Sequence, residues 1–453
     1  MNASFFGELL QAIAERGRAL IDRTRDRRGP EARSQSLIDL CEELLSGRGE
    51  ASGVAIAREI LARYEELTTG PRIAFFEALA HRFGPDHERI TTAVAAWQRN
   101  PSEDAAADLR AAAEPRRQEL FRRLNLAPGG TAALVGMREQ LMDTLVRRED
   151  LAAVDADFAH LFSSWFNRGF LVLRHIDWST PAIVLEKIIR YEAVHEIRDW
   201  EDLRARIDPP DRRCYAFFHP ALVDEPLIFV EVALTEDIPE AIAPILATER
   251  EPLPLKRAAT ATFYSISNCQ RGLSGVSFGH FLIKQVVEEI SREMPRLSTF
   301  VTLSPVPGFA RWLTGERAKE HSAALSAEDS VKLKSLDVPR WWEQPSAEEV
   351  REPLLRAAAS YFLGARTKRG VPVDPVARFH LGNGARLEQL DWLGDTSEKG
   401  LSQSHGLMVN YLYDLEEIEK NHEAYAEGRT IVASASIRRL ARHSALHLLP
   451  VPS

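Results

Sequence analysis

Two residues able to hold or move a proton stand beside proline- and glycine-marked turns in the second half of this chain. Ser304 closes the run Thr299-Phe300-Val301-Thr302-Leu303 and is followed by Pro305. Proline biases its predecessor away from helical geometry, so a strand should end there with the serine hydroxyl at the carboxyl edge of the sheet, where open α/β sheets bind ligands. The same hydroxyl would also suit a cap or turn for a short helix around residues 310–313. It is not an elbow nucleophile, because G-x-S-x-G is absent. His380 lies in Phe379-His380-Leu381-Gly382-Asn383-Gly384, a strand-like run before a glycine turn. There it either reaches a pocket or is satisfied by its neighbours. Tyr411 and Tyr413 share one face of an extended segment, where they either present hydroxyls to a pocket or fill a core.

A third feature is a turn between a strand at 260–267 and a helix at 281–290, with Gly272, Gly275 and Gly279 inside eight residues. Glycines let backbone N–H groups approach a ligand, and the helix N-terminus adds its positive end, so a diphosphate would suit the place. A plain tight connection has the same composition, and neither a Walker loop nor G-x-G-x-x-G is present.

These residues need a sheet to hold them, and the chain is long enough to supply one. It has 453 residues, a net charge of −9, 45% hydrophobic and 27% charged residues, which is the composition of a globular protein of two or three domains. Mild acidity argues against a broad nucleic-acid or anionic-membrane surface. No apolar stretch approaches the ~20 residues needed to span a bilayer. Cys41, Cys214 and Cys269 fit neither a disulfide framework nor a zinc spacing. With no secretory signal at the start and no peroxisomal tripeptide at the end, a cytoplasmic location is expected.

The first third reads as successive helices. Ala57, Ile60, Leu61, Tyr64 and Leu67 recur at helical spacing, as do Ile73, Phe76, Leu79, Ala80 and Phe83, with breaks at Gly70-Pro71 and Gly84-Pro85. Ser102 and Thr131 are suited to capping the helices that follow them. Near residue 165 the pattern changes to short aromatic and β-branched runs: 170–173, 214–218, 227–234, 260–267 and 298–303. Leu282, Ile283, Val286, Val287 and Ile290 form one stripe on the helix joining the last two runs, so those strands should be parallel. Residues 319–345 read as an insertion or mobile loop. The charged stretch 414–423 reads as a solvated helix face, since H-E-x-x-H is missing.

Taken in order, Phe263-Tyr264-Ser265-Ile266-Ser267, Gly272-Leu273-Ser274-Gly275-Val276, Leu303-Ser304-Pro305-Val306-Pro307-Gly308-Phe309, Phe379-His380-Leu381-x-Asn383-Gly384-Ala385 and Gly406-Leu407-Met408-Val409-Asn410-Tyr411 resemble the malonyl-CoA decarboxylase family. The resemblance implies an N-terminal all-α helical bundle, 1–165, serving packing or oligomerisation, followed by a GNAT acyltransferase-like mixed α/β catalytic domain, 166–453. It implies Ser304 and His380 as catalytic residues and Ser274, Gly275, Val276, Ser277, Phe278, Gly279 and His280 as the CoA-binding segment. Asn410 and Tyr413 would complete the substrate pocket. The implied partners are malonyl-CoA as substrate and acetyl-CoA as product, in a homo-oligomer that binds neither nucleic acid nor membrane.

Loss of CO2 from a malonyl thioester leaves an enolate whose charge sits on the thioester oxygen. The thioester is itself the electron sink, so no cofactor is expected: neither metal, biotin nor pyridoxal. A histidine titrating near neutrality would suit protonation of C2, with Ser304 orienting the carboxylate or carbonyl; the alternative has Ser304 relaying the proton and His380 holding the oxyanion. An acyl-CoA-dependent N-acyltransferase and a non-catalytic CoA-binding scaffold are the alternatives on the same fold. Because the chain is negative overall, Arg271, Lys284, Arg311 or other local positive charges should gather where a polyanionic CoA ester enters.

Overall fold

The computed structural model describes residues 30–46, 50–276 and 282–442, which group by their contacts into two compact units. The first unit is helical and comprises the described residues up to Val172, the segment His219–Glu225 and the described part of Gln270–Phe278. Its helices are Pro30–Leu45, Glu50–Glu65, Thr69–His81, His87–Arg99, Glu103–Ala113, Arg116–Asn125, Gly130–Leu145 and Ala152–Trp165. Of the expected periodic positions, Ala57, Ile60, Leu61, Tyr64, Leu67, Phe76, Leu79 and Phe83 are buried, while Ile73 and Ala80 are half-buried. Gly70 and Pro71 lie inside the first turn of a helix rather than between two, a position where the missing proline N–H costs nothing.

Ser102 accepts from the Ala105 amide at 3.2 Å, as a cap should. Thr131 does not cap: Gly129, with φ of 75°, occupies that position, and the Thr131 hydroxyl donates to Asn125 Oδ1. A buried ion pair fixes the helix register, with Arg117 Nε 2.5 Å from Asp157 Oδ2 while Gln118 donates to the other carboxylate oxygen. Phe121 stacks on Phe158 nearby, with centroids 4.0 Å apart.

The second unit is built on a seven-stranded mixed sheet in the order β1-β2-β3-β4-β5-β7-β6. The strands are β1 Val172–Ile176, β2 Arg212–Phe218, β3 Pro226–Thr235, β4 Thr260–Asn268, β5 Thr299–Pro305, β6 Arg386–Asp391 and β7 Met408–Leu412. β1 starts two residues later than its apolar run suggests. β2, β3 and β4 are antiparallel; β4 and β5 are parallel, joined by the helix Leu282–Glu293; β5, β7 and β6 are again antiparallel. The stripe Leu282, Ile283, Val286, Val287 and Ile290 is buried as its spacing requires.

Residues 319–345 are not a loose excursion. They form a helix at Ala327–Lys332 and two short 3-10 turns, and are pinned by buried Leu333, Leu336 and Trp341 and by the pair Arg356–Asp329. Polar composition concealed these anchors because only a few apolar side chains are needed to hold so short a segment. Among the described residues, no helix is long and apolar enough to cross a membrane.

Candidate active site

The sheet opens where β4 and β5 part. Their parallel pairing runs from Thr260↔Thr299 to Phe263↔Thr302 and stops, although β4 continues to Asn268 and β5 to Pro305. β4 also bulges here: Glu231 pairs with Ser265 and Val232 with Phe263, so Tyr264 has no opposite number on β3. The unpaired ends of both strands line a cavity of about 270 Å³, together with the helices Leu282–Glu293 and Pro375–Gly382. Its wall is largely apolar, with Ile228, Val230, Ile266, Leu282, Ile283 and Phe379, and its polar lining residues are Ser304, His380, Tyr264 and Asn268.

Ser304 Oγ lies 3.2 Å from His380 Nε2, and both residues are buried. The short helix after Ser304, Phe309–Arg317, takes Gly308 as its cap, so the serine is not spent on capping. His380 sits on a helix, not in the strand expected for it. Asp374 caps that helix by accepting from the Ala377 amide at 2.8 Å, and Pro375 opens it. The helix faces His380 Nε2 toward β5 and Nδ1 toward the end of β7, where the Tyr413 hydroxyl stands 2.7 Å away. Tyr411 stacks on the imidazole at 4.5 Å between centroids.

The hydrogen bonds form an ordered series. The Ser304 hydroxyl donates to Thr302 Oγ1 at 3.1 Å, so it must accept from His380, which puts the proton on Nε2. Nδ1 is then the acceptor for the Tyr413 hydroxyl, whose sole hydrogen-bond partner it is among those seen. Burial pushes the Tyr413 phenol far above its ordinary range, so that it keeps its proton. Burial also drives the His380 imidazole down to about 3, with no carboxylate nearby to hold it charged. The expectation that His380 titrates near neutrality is therefore corrected: it is a neutral imidazole.

Not every expected substrate contact gathers here. Asn410 alternates onto the other face of β7, where its amide donates to Pro239 O and to Asp391 Oδ2, and it does not line the cavity. Ser274, Gly275 and Val276 belong to the helical unit. There Arg138 donates to the carbonyls of Gly272 and Ser274 at 2.9 and 3.0 Å, and a Cβ on Gly272 would stand 2.1 Å from Val135 O. Ser277, Phe278, Gly279 and His280 lie outside the described residues. Of the expected positive charges, Arg271 pairs with Asp143 and Lys284 with Glu419.

Sequence reasoning missed Thr302, Tyr361 and Asp374. Tyr361 Oη donates to Asp374 at 3.2 Å and stands 2.7 Å from where a Cβ on Gly308 would lie, so it links the S-P-x-P-G-F segment to the helix of His380. The dipeptide Asp374-Pro375 is a helix-start signal that would have revealed that helix.

A family model described as Malonyl-CoA decarboxylase C-terminal domain matches residues 169–448, and one described as Malonyl-CoA decarboxylase N-terminal domain matches residues 83–166. The chain belongs to the malonyl-CoA decarboxylase family. Among solved structures it is similar to malonyl-CoA decarboxylase from Rhodopseudomonas palustris, at 60% identity and a TM-score of 0.86 over 90% of this chain and 99% of that one. The Agrobacterium vitis malonyl-CoA decarboxylase gives 57% identity and the same TM-score, covering 89% and 99% of the two chains. A mitochondrial malonyl-CoA decarboxylase of the goose Anser anser anser is 36% identical over 413 residues, which is 84% of this chain and 82% of that protein. Both Ser304 and His380 fall within the C-terminal match.

Proposed function

We propose that this protein is a carboxy-lyase that converts malonyl-CoA to acetyl-CoA and CO2 at the Ser304–His380 pair. The observation that carries the assignment is the ordered series Tyr413–His380–Ser304–Thr302, which brings Ser304 and His380 together at the wall of a largely apolar cavity. Cleavage of the C–C bond releases CO2 and leaves its electron pair in the thioester enolate. That enolate is a strong base, so a neutral imidazole is acid enough to protonate it. The Nε2 proton of His380 passes to C2, Tyr413 steadies the resulting imidazolate by donating its hydrogen bond to Nδ1, and water entering the cavity as product leaves returns a proton to Nε2. With substrate bound, the Ser304 hydroxyl turns from Thr302 to donate to the departing carboxylate, orienting it so that the breaking bond overlaps the thioester π system. Fixed donors are typically worth ~10²–10³ in rate and a placed general acid ~10²–10⁴. The apolar walls disfavour the localised charge of the carboxylate relative to the delocalised charge of the enolate.

The parted ends of β4 and β5 leave backbone groups free to bond the amides of the pantetheine arm, and residues 274–280, glycine-containing in sequence, are assigned to the diphosphate. Arg138 supports this reading by fixing the start of that segment. This reading takes the protein to act in the cytoplasm, with the helical unit offering surface for a homo-oligomer. Purified protein given malonyl-CoA should release CO2 and acetyl-CoA without ATP or an amine acceptor. Ser304→Ala and His380→Ala should each lower kcat by ~10²–10³. Wild-type turnover in both would overturn the assignment.

A further inference from the structure

The segment 192–196 has no repeating structure, yet side chains from four places hold its backbone. Glu192 accepts from the amides of Val194 and His195 at 2.8 and 2.7 Å. Ser267 on β4 accepts from the Ala193 amide at 3.2 Å. Arg206, buried on the helix Trp200–Ile207, donates to the carbonyls of His195 and Glu196, each at 2.8 Å. Lys399, on the helix Glu398–Ser404, donates to the carbonyls of Ala193 and Val194, each at 2.9 Å. The Ser265 and Ser267 hydroxyls in turn donate to Glu192, which keeps its carboxylate aimed. Seven hydrogen bonds on four consecutive residues make this stretch as constrained as a strand while leaving its side chains free to face a cavity.

One of those side chains does. Val194 lines the cavity that contains Ser304 and His380. Behind it lies a second chamber, which it shares with Pro305, of only about 10 Å³. Val194 therefore has nowhere to retreat, and its backbone cannot yield without breaking the clamp.

We infer that Val194, clamped through Lys399, Arg206 and Glu192, is a specificity-determining residue that limits the bulk tolerated on the carbon between the thioester and the carboxylate. The inference rests on the reading of Ser304 and His380 as the reaction centre. Lys399 acts through Val194 and is a positioning residue. A methyl-sized difference in a rigid apolar wall is worth roughly 10–200-fold in discrimination.

The test compares kcat/KM for malonyl-CoA and methylmalonyl-CoA. Val194→Ala should raise the methylmalonyl-to-malonyl ratio by about tenfold and Val194→Leu should lower it by about tenfold. Lys399→Met should move the ratio in the same direction as Val194→Ala, and Lys399→Arg should restore it. Ratios within roughly twofold of wild type in both Val194 variants, with wild-type melting temperatures, would overturn the role of Val194. An unchanged ratio in Lys399→Met alone would overturn the clamp as its cause. Ser304→Ala is the control: full turnover there would mean that the reaction centre itself lies elsewhere, whereas lost turnover with unmoved Val194 ratios condemns only the wall.

Discussion

His380 is unusual for a histidine offered as a proton donor, because no acid among the described residues faces it. Its neighbours are two hydroxyls and two aromatic rings, from Ser304, Tyr413, Tyr411 and Phe379. Burial holds it neutral down to about 3, so kcat/KM, which reports the free enzyme, should show no His380 inflection between about pH 5 and 8. An inflection near the ordinary imidazole value that vanished in His380→Ala would contradict the neutral form. Tyr413→Phe removes the donor that fixes the tautomer, leaving Nδ1 free to take the proton. Steady-state kinetics on that variant should show kcat lowered by about 10² with KM little changed, since the hydroxyl bonds the imidazole and does not line the cavity. The Tyr411 hydroxyl is fully buried and has no hydrogen-bond partner among the described residues, so Tyr411→Phe, which keeps the stacked ring, should preserve turnover.

At the scale of elements, the site depends on a contact between two motifs far apart in sequence. Gly308→Ala would drive a Cβ to 2.7 Å from Tyr361 Oη, displacing the hydroxyl that bonds Asp374 and with it the cap of the His380 helix. Denaturant unfolding should show a loss of about 1–3 kcal/mol, and the double variant with Tyr361→Phe, which relieves the clash but still lacks the bond to Asp374, should lose less than the sum of the two single variants. Strong periodicity was legible in the sequence: the parallel β4–helix–β5 unit, the stripe facing the sheet and Ser304 at the edge of β5 all follow from local composition. The element under His380 was not. Phe379-His380-Leu381 is equally apolar in a strand or in one turn of a helix, and only Asp374-Pro375, five residues upstream, separates the two. Tyr411 and Tyr413 were legible as a shared face, but their meeting with His380 is set by pairing between β5 and β7, which no local pattern encodes. Asn410 illustrates the reverse: alternation alone sends it to the far side of the sheet.

For the whole molecule, buried titratable groups set a narrow pH optimum of stability. His380, His195 and His405 are depressed from 6.5 to about 3, 4 and 4, each chiefly by burial, so the unfolded chain binds more protons than the native one below pH 6.5 and stability falls with acid. Burial raises Glu231 from 4.5 to about 8 and Asp391 from 3.8 to about 7, so the native state holds more protons between those limits and stability falls as pH rises through them. Three histidines outweigh two carboxyls below pH 6.5, and only the carboxyls act above it. The melting temperature should therefore peak near pH 6.5 and decline on both sides toward pH 4.5 and pH 8. A plateau from pH 6.5 to 8 in calorimetric scans would show that Glu231 and Asp391 are already ionised.

The Arg138 guanidinium that grips Gly272 and Ser274 also has a consequence in time. The helical unit is assembled from a stretch ending at Val172 and a later one that includes those two residues. A ribosome must add about a hundred residues between them, which at bacterial or eukaryotic elongation rates takes ~5–20 s. For that interval the nascent helices present an arginine with two of its acceptors not yet made and an uncovered Val135 ridge. The early part of the polypeptide should thus be a client for holding chaperones until the glycine turn emerges to complete it.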